Sequence, residues 1–218
     1  MSTARKYRGR IQVLTVNINE FVELPEDMHI ESGQWPAFAI HEPSRNRKYP
    51  LNTCEDNGQR PGPEEVDHFI DSYLAGKLKP TIKSKPIPNT QGPVIEVVGL
   101  SYDDVVLDPK KDVLIEFYTP WCGPCKALLP AYEKLASMYA ADDKARDLVT
   151  IAKVDYEAND VPDKEIWGFP WFKLYPAERK DSPVVLDEVR RDVDSWARFI
   201  AENGTHGIKL DSSHGDSP

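Results

Sequence analysis

Two cysteines separated by two residues, Cys122 and Cys125, are the side chains whose type and spacing most directly indicate chemistry in this sequence. Thiols at this spacing can close a small disulfide and reopen it. They follow an apolar run typical of a strand, residues 113–118, and precede a run typical of a helix, residues 127–139. A cysteine at a helix N-terminus has a stabilised thiolate, because unpaired N–H groups and the helix dipole favour negative charge there. Since the thiolate is the attacking species in disulfide exchange, the pair predicts thiol–disulfide chemistry.

Length and composition limit the classes of protein that can carry this pair. The 218 residues suffice for one or two domains, and a hydrophobic fraction of 40% is adequate for a globular core. A net charge of −9 disfavours non-specific binding to nucleic acid. Because no stretch approaches the ~20 consecutive apolar residues of a membrane helix, the sequence predicts no membrane segment.

The remaining cysteine and the histidines do not match a metal-binding pattern. Cys54 stands alone in a polar stretch, and a zinc site would need a second cysteine pair or a cysteine–histidine pair at ligand spacing. We therefore expect neither a metal nor an organic cofactor. The first residues lack the apolar run of a signal peptide, and the last four do not match a luminal retention signal. The sequence thus indicates no compartment of its own.

The chain contains a degenerate internal repeat in the order strand, proline-led strand, helix. The matched segments are residues 11–17 with 149–155, 34–40 with 168–174, and 66–74 with 193–200. The first copy lacks the strand–helix–strand opening that precedes the second copy. Between the copies, the prolines and polar residues of 79–93 predict an extended linker.

Within the second copy, apolar periodicity predicts a full set of alternating elements. The expected strands are residues 94–99, Asp112–Tyr118, Val149–Asp155, 171–174 and 184–186. The expected helices are residues 102–107, 122–140, 161–167 and Val193–Asn203. Alternating strands and helices of this kind indicate an α/β fold with helices packed on a central sheet.

From residue 94 to about 204 the chain resembles a thioredoxin-fold catalytic domain of the protein disulfide isomerase family. The resemblance is carried by the run 113–126, which includes Trp121-Cys122-Gly123-Pro124-Cys125, and by the segments 153–155, 159–162 and 168–170. Residues 1–79 resemble the later part of the non-catalytic, substrate-binding domain that precedes the last catalytic domain in these enzymes. The resemblance implies a partial thioredoxin-like domain over 1–79, a linker over 80–93, a thioredoxin fold with a central mixed sheet flanked by helices over 94–204, and a flexible tail over 205–218.

The resemblance also implies roles for individual residues. Cys122, exposed at the helix start, would attack a disulfide of a client protein, and Cys125, one turn inward, would resolve the mixed disulfide. Glu116, a carboxylate inside an apolar strand, would exchange a proton with the buried cysteine, and Arg191 would approach that cysteine. A cis bond is expected before Pro170, and Pro36 is a second candidate for one. The residues expected to contact substrate are Trp121, Gly123, Pro124, Phe169 and Pro170.

The implied activity is the formation, reduction and rearrangement of disulfides in unfolded client proteins, with a thiol such as glutathione as redox partner. The resemblance implies the endoplasmic reticulum lumen, and the cytoplasm is the alternative compartment. Two other hypotheses stay open. The chain could be a chaperone-like module that binds peptides and has incidental redox activity, or a cytosolic thioredoxin-like reductase, which Pro124 favours.

Several positions depart from the family pattern or allow an ordinary structural role. Where the family usually has His, Thr and Gly, this chain has Pro124, Trp171 and Val189. Glu116 could instead be an outward-facing strand residue, and Arg191 could cap the start of a solvated helix. Lys153 is either a charge partner for Glu116 or a solvated lysine near the end of a strand.

Overall fold

The computed structural model describes residues 3–30, 35–51, 61–163, 165–187 and 191–210. The chain divides into two units, Met1–Ile82 and Lys83–Pro218. Each unit has an apolar core of its own. Cys54 lies outside the described residues, as does Val189.

The described part of the first unit combines short helices with a two-stranded hairpin. Its elements are α1 (Thr3–Lys6), α2 (Leu24–Asp27), β1 (Phe38–Glu42), β2 (Arg47–Leu51) and α3 (Pro63–Leu74). β1 and β2 pair antiparallel. The buried core residues are Tyr7, Ile40, Tyr49 and Ile70. The Tyr7 hydroxyl donates to the Asp67 carbonyl at 2.8 Å and so fastens the chain after α1 to α3.

In the first repeat copy the expected second strand and the helix are present, but the prediction of a first strand is wrong. β1 follows a cis bond before Pro36, and α3 includes the helix expected over 66–74. Residues 11–17 form no strand. In the second unit the corresponding strand, Val149–Asp155, lies between two paired neighbours. Among the described residues of the first unit, no strand pairs with residues 11–17. The backbone of this segment therefore forms no strand-to-strand hydrogen bonds, and Leu14 is 71% exposed.

The second unit is built on a five-stranded mixed sheet. Its strands are β3 (Ile95–Val97), β4 (Asp112–Tyr118), β5 (Val149–Asp155), β6 (Trp171–Tyr175) and β7 (Val184–Val185), in the spatial order β3-β5-β4-β6-β7. β4 is central, parallel to β5 and antiparallel to β6. The first six of its seven residues are buried, which explains the nearly continuous apolar run in the sequence.

Side chains along β4 alternate between two cores, each covered by helices. The helices of this unit are α4 (Tyr102–Val106), α5 (Gly123–Ala141) and α6 (Val193–Asn203). Leu114 belongs to the core that α5 and α6 cover, whereas Val113, Ile115 and Phe117 belong to the core that α4 covers. A mixed sheet with helices on both faces is the thioredoxin fold that the sequence predicts.

The prediction of a helix over residues 161–167 is wrong, since the described residues of this segment contain no helix. Asp163 is buried there, and its carboxylate accepts hydrogen bonds from the hydroxyls of Tyr102 and Tyr175. The same carboxylate accepts from Lys173 Nζ at 2.7 Å. Because these partners lie on α4 and β6, they hold the segment against the sheet, and local helix propensity does not decide its structure.

Part of the segment expected to be an extended linker is hydrogen-bonded within the second unit. The Lys83 N–H donates to the Asp160 carboxylate at 3.0 Å, and the Asp160 N–H donates to the Lys83 carbonyl oxygen at 2.7 Å. The Lys85 N–H donates to Asn159 Oδ1 at 2.9 Å, and Lys85 Nζ lies 2.5 Å from Asp155 Oδ2. Residues 83–85 therefore form a strap along the 155–160 loop, although they belong to neither a helix nor a strand.

The tail expected to be flexible from Thr205 begins with residues that bind the sheet. The carboxylate of Asp112, fully buried at the start of β4, accepts from the N–H groups of Ala177, Thr205 and His206 at 2.7, 2.9 and 2.9 Å. Ile208 and Leu210 pack against the core covered by α5 and α6. The expectation is therefore wrong for residues 205–210, and 211–218 lie outside the described residues.

Gly204 should not tolerate a side chain, because a Cβ there would lie 2.5 Å from Asp112 Oδ2 and 2.7 Å from the Ile200 carbonyl oxygen. We expect Gly204→Ala to lower the free energy of unfolding by about 1–3 kcal/mol, as overpacking usually does. Denaturant unfolding of the oxidised protein measures this change. Gly92→Ala is the matched control, since its Cβ would meet only the Val94 carbonyl oxygen, at 4.0 Å. Equal stability of both variants would contradict the close contact between the end of α6 and Asp112.

Candidate active site

The Cys122–Cys125 disulfide lies where β4 leads into α5. β4 ends at Tyr118, and the Cys122 N–H donates to the Thr119 carbonyl at 3.1 Å in the connecting turn. α5 begins at Gly123, so the two Cα atoms lie 5.4 Å apart across the first helical turn. The fold therefore places the disulfide at the end of the central strand β4.

Cys122 is the N-cap residue of α5. Its Sγ accepts a hydrogen bond from the Cys125 backbone N–H at 3.1 Å. Backbone donors and the helix dipole both favour negative charge at such a position. The same donor can stabilise a thiolate on Cys122 when the disulfide is open, whereas the Cys125 side chain belongs to the first turn.

The two cysteines do not differ in exposure as the sequence suggests. Cys122 was expected at the surface and Cys125 one turn inward, yet in this disulfide form Cys122 is 3% exposed and Cys125 is 5% exposed. The bond joins the sulfurs to each other, so both are covered at the helix start. The N-cap hydrogen bond, and not exposure, favours Cys122 as the attacking thiolate.

Glu116 is a buried carboxylate near the end of β4. It is 3% exposed, and its Oε1 atom has no hydrogen-bond partner among the described residues. Burial raises the pKa of Glu116 from 4.5 to about 7, although the positive charges of Lys153 and Arg191 lower it. The alternative of an outward-facing, solvated glutamate is therefore wrong. With a pKa near 7, this carboxyl group can both accept and donate a proton at neutral pH.

Two cations flank Glu116 from opposite sides of β4. Lys153 on β5 and Phe172 on β6 are its register partners in the sheet. The Arg191 guanidinium lies 5.8 Å from the centroid of the Phe172 ring. Since Lys153 lowers the pKa of Glu116, its position favours the charge-partner hypothesis over a lysine that acts only with solvent. Its ammonium also lies 5.7 Å from the Tyr118 ring centroid.

Arg191 lies over the ring of Phe172, the register partner of Glu116, and does not cap α6. The N-cap of α6 is Asp192, whose carboxylate accepts from the Ser195 N–H at 2.8 Å. The alternative in which Arg191 caps the helix is therefore wrong. Arg191 is half-buried and lowers the pKa of Glu116, which places its charge on the side of the sheet that carries the buried carboxyl group.

An aromatic rim, defined as Trp121 and Phe169, lies beside the dithiol motif. Their ring centroids are 6.1 Å apart with the planes at 86°, an edge-to-face contact. Trp121 is 66% exposed, while Phe169 is half-buried and precedes Pro170 through a cis bond. Of the other expected substrate contacts, Gly123 and Pro124 are exposed and Pro170 is buried.

Glu157, which is not among the residues that the sequence pattern indicates, also lies at this rim. Its Oε1 accepts a hydrogen bond from Trp121 Nε1 at 2.8 Å. The strands before the two residues are parallel neighbours, and residues that follow such strands meet at the same sheet edge. Once the pairing of β4 with β5 is known, an acidic residue two positions after β5 can be predicted to lie near Trp121.

Over the described residues, no group of three or more His, Cys, Asp or Glu side chains is placed to hold a metal ion. His206 is instead engaged at the start of the tail, where its Nε2 lies 2.9 Å from the Lys110 carbonyl oxygen. The helices of the described ranges also include none with the length and apolar character required to cross a membrane.

Glu116→Gln should change how the stability of the oxidised protein depends on pH. Because the folded pKa of about 7 exceeds the ordinary value of 4.5, the folded state binds more protons than the unfolded state between these values. Stability should therefore fall as pH rises through this range, by about 3 kcal/mol for a shift of this size. The Gln variant lacks this decrease, and denaturant unfolding between about pH 4.5 and about pH 8 measures the difference.

Glu202→Gln, which changes an exposed glutamate on α6, should keep the wild-type pH profile. A Glu116→Gln profile that runs parallel to the wild type would show that Glu116 does not titrate with a raised pKa.

The thioredoxin family profile matches residues 93–200 of this chain. The protein disulfide-isomerase of Aspergillus niger is 46% identical over 206 residues, which cover 94% of this chain and 39% of that protein. The protein disulfide-isomerase of Humicola insolens is 47% identical over 204 residues, covering 93% of this chain and 39% of that protein. Human protein disulfide-isomerase A4 is 46% identical over 151 residues, covering 66% of this chain and 23% of that protein.

Solved structures include a similar single domain. The first thioredoxin domain of mouse protein disulfide-isomerase A4 has a TM-score of 0.47 and 26% sequence identity, covering 62% of this chain and 92% of that domain. The chain spans about 39% of the length of the two fungal relatives. The sequence match to those relatives extends over both units, and the thioredoxin match contains the dithiol. The chain therefore belongs to the protein disulfide isomerase family.

Proposed function

We propose that this chain catalyses thiol–disulfide exchange with client proteins, so that it forms, reduces and rearranges their disulfides through Cys122 and Cys125. The hydrogen bond from the Cys125 N–H to Cys122 Sγ is the observation that carries the proposal. It supplies a donor to one sulfur of a dithiol that is closed in this structure. A sulfur held this way is a good site for the negative charge that exchange requires.

The exchange proceeds in two displacement steps. In the reducing direction, the Cys122 thiolate attacks one sulfur of a client disulfide, that bond breaks, and the second client sulfur leaves as a thiolate. The Cys125 thiolate then attacks Cys122 Sγ, releases the first client sulfur and closes the Cys122–Cys125 disulfide. Two electrons pass from the dithiol to the client, and the reverse sequence oxidises a client dithiol. Attack by a different client thiol on the mixed disulfide rearranges the client bonds.

Glu116 takes the proton of the Cys125 thiol before the second step and returns one in the reverse direction. Three features support this role. Glu116 lies two residues from Leu114 on β4, so both point to the face that α5 covers. Its pKa of about 7 matches a group that must both accept and give a proton. Lys153 and Arg191 stabilise the ionised carboxylate while the proton is held elsewhere.

The client polypeptide binds beside the dithiol, across the aromatic rim and the exposed start of α5. Trp121 and Phe169 offer apolar surface, and Gly123 and Pro124 leave that helix start open. Pro170 holds client backbone next to the disulfide.

Residues 1–79 act as a partial non-catalytic domain that binds client. The redox partner is a thiol such as glutathione, and the compartment is the endoplasmic reticulum lumen, with the cytoplasm as the alternative.

A chaperone-like function is the second candidate, because the first unit exposes apolar side chains. Leu14, Phe21 and Val22 are 71%, 56% and 74% exposed. Such residues can hold apolar client segments without redox turnover. In that case loss of the dithiol should leave suppression of client aggregation unchanged.

Cys122→Ser should abolish reduction of a client disulfide, whereas Cys125→Ser should accumulate a mixed disulfide between Cys122 and the client. The first variant lacks the attacking sulfur, and the second lacks the resolving one. Non-reducing mass spectrometry after acid quench detects the mixed species. Cys54→Ser is the matched control and should keep turnover. A mixed disulfide through Cys125 in the Cys122→Ser variant, formed at the wild-type rate, would reverse the assigned roles.

Glu116→Gln should slow resolution of the mixed disulfide by about tenfold or more, while the initial attack by Cys122 stays within about twofold of the wild type. The amide keeps the size of the side chain but cannot accept the proton of Cys125. Rapid acid quench of a single turnover with a fluorescent client peptide separates the two steps. Glu202→Gln should match the wild type in both, and an unchanged rate of resolution in Glu116→Gln would rule out the proton transfer.

A further inference from the structure

Trp121 combines high exposure with a fixed orientation. Its indole N–H donates to Glu157 Oε1 at 2.8 Å, and its ring meets the Phe169 ring edge-to-face at 6.1 Å. The side chain is nevertheless 66% exposed. An apolar side chain held in place while open to solvent is a surface available to a ligand.

The carboxylate of Glu157 brings an uncompensated charge to the same place. The carboxylate accepts a hydrogen bond from a neutral indole, and within the described residues no cation forms an ion pair with it. The cations that lie over aromatic rings in this second unit, Lys153 and Arg191, are on Tyr118 and Phe172 and not on Trp121. Both the ring and the carboxylate thus remain available to a positive group from outside.

We propose that Trp121 and Glu157 form a subsite for a Lys or Arg side chain next to the reacting cysteine of a client protein, an inference that rests on the proposed exchange function. A cation within ~6 Å of an indole centroid is attracted by the ring, and Trp is the best aromatic partner for it. The indole N–H places the carboxylate at the ring edge, so one client cation can contact both groups. The subsite therefore selects clients by charge.

The position of Glu157 is set before a client arrives. The N–H groups of Glu157 and Ala158 donate to Asp155 Oδ1 at 3.2 and 3.3 Å. Asp155 is 2% exposed, and its other oxygen pairs with Lys85 of the strap. The Tyr156 N–H donates to the Tyr118 carbonyl at 2.9 Å, which ties the loop to the end of β4. A preformed subsite loses less conformational freedom on binding, so a modest charge contact can still discriminate.

Matched disulfide peptides that differ only in the residue beside the cysteine, Arg, Gln or Glu, test the subsite. With reduced wild-type protein, kcat/KM should be about threefold to tenfold higher for the Arg peptide than for the Gln peptide, and lowest for the Glu peptide. The preference should shrink as salt is raised, because exposed charges are screened. Glu157→Gln keeps an oxygen acceptor for the indole N–H but removes the charge, so its Arg and Gln peptides should react within about twofold of each other.

Glu202→Gln is the charge-matched control. It lies in the last turn of α6, and Thr205, just after this helix, binds Asp112 at the start of β4. Glu202 is therefore at the opposite end of the sheet from the dithiol, and the variant should keep the preference for Arg. Trp121→Leu should lower the preference without changing the charge. If Glu157→Gln ranks the peptides as the wild type does, or slows all three equally, Glu157 only orients Trp121 and the subsite is rejected. Equal turnover of all three by the wild type rejects the subsite alone, whereas turnover of none rejects the exchange function as well.

Discussion

The burial of β4 on both faces is the constraint on which the second unit depends. β4 lies between β5 and β6, and helices cover both of its faces. Two carboxylates nevertheless lie in this strand, Asp112 at its start and Glu116 near its end. Three backbone N–H groups satisfy Asp112, so it acts as an anchor for the chain after α6. Glu116 has an oxygen without a hydrogen-bond partner among the described residues, and burial raises its pKa to about 7. The two carboxylates of this strand thus differ because the donors around them differ: Asp112 is fully hydrogen-bonded, whereas Glu116 keeps an oxygen without a partner among the described residues and has a raised pKa.

The sequence predicts those elements whose apolar pattern is sufficient by itself. Asp112–Tyr118, Val149–Asp155 and Val193–Asn203 have the same bounds in the structure as in the prediction. The prediction is wrong where distant partners decide. Residues 11–17 have a strand-like pattern but no strand partner among the described residues, and Asp163 is held by side chains of α4 and β6 instead of entering a helix. The contact of Glu157 with Trp121 could not be predicted either, since it depends on the order of the strands in the sheet.

The boundaries of the catalytic unit are functional as well as structural. The family match covers 93–200, whereas the strap at 83–85 and the segment at 205–206 satisfy buried carboxylates inside that range. Without the strap, Asp155 would lose its Lys85 partner at the base of the loop that carries Glu157. A buried carboxylate that loses its cation is costly, so the strap stabilises the base of this loop. Residues 83–85, at the start of the second unit, therefore help to hold the loop that carries Glu157.

Reversible exchange places a demand on Glu116 that a fully ionised or a fully neutral carboxyl group could not meet. Forming a client disulfide and breaking one are the same steps in opposite order, so in the proposed exchange the group that takes a proton from Cys125 in one direction must return it in the other. A pKa near 7 makes both transfers accessible at neutral pH. Burial alone would raise the pKa further, and the positive charges of Lys153 and Arg191 oppose it, so the value reflects burial offset by two cations. Arg191 precedes α6 and lies outside the sheet, so its contribution to this balance depends on its place over the Phe172 ring and not on strand pairing.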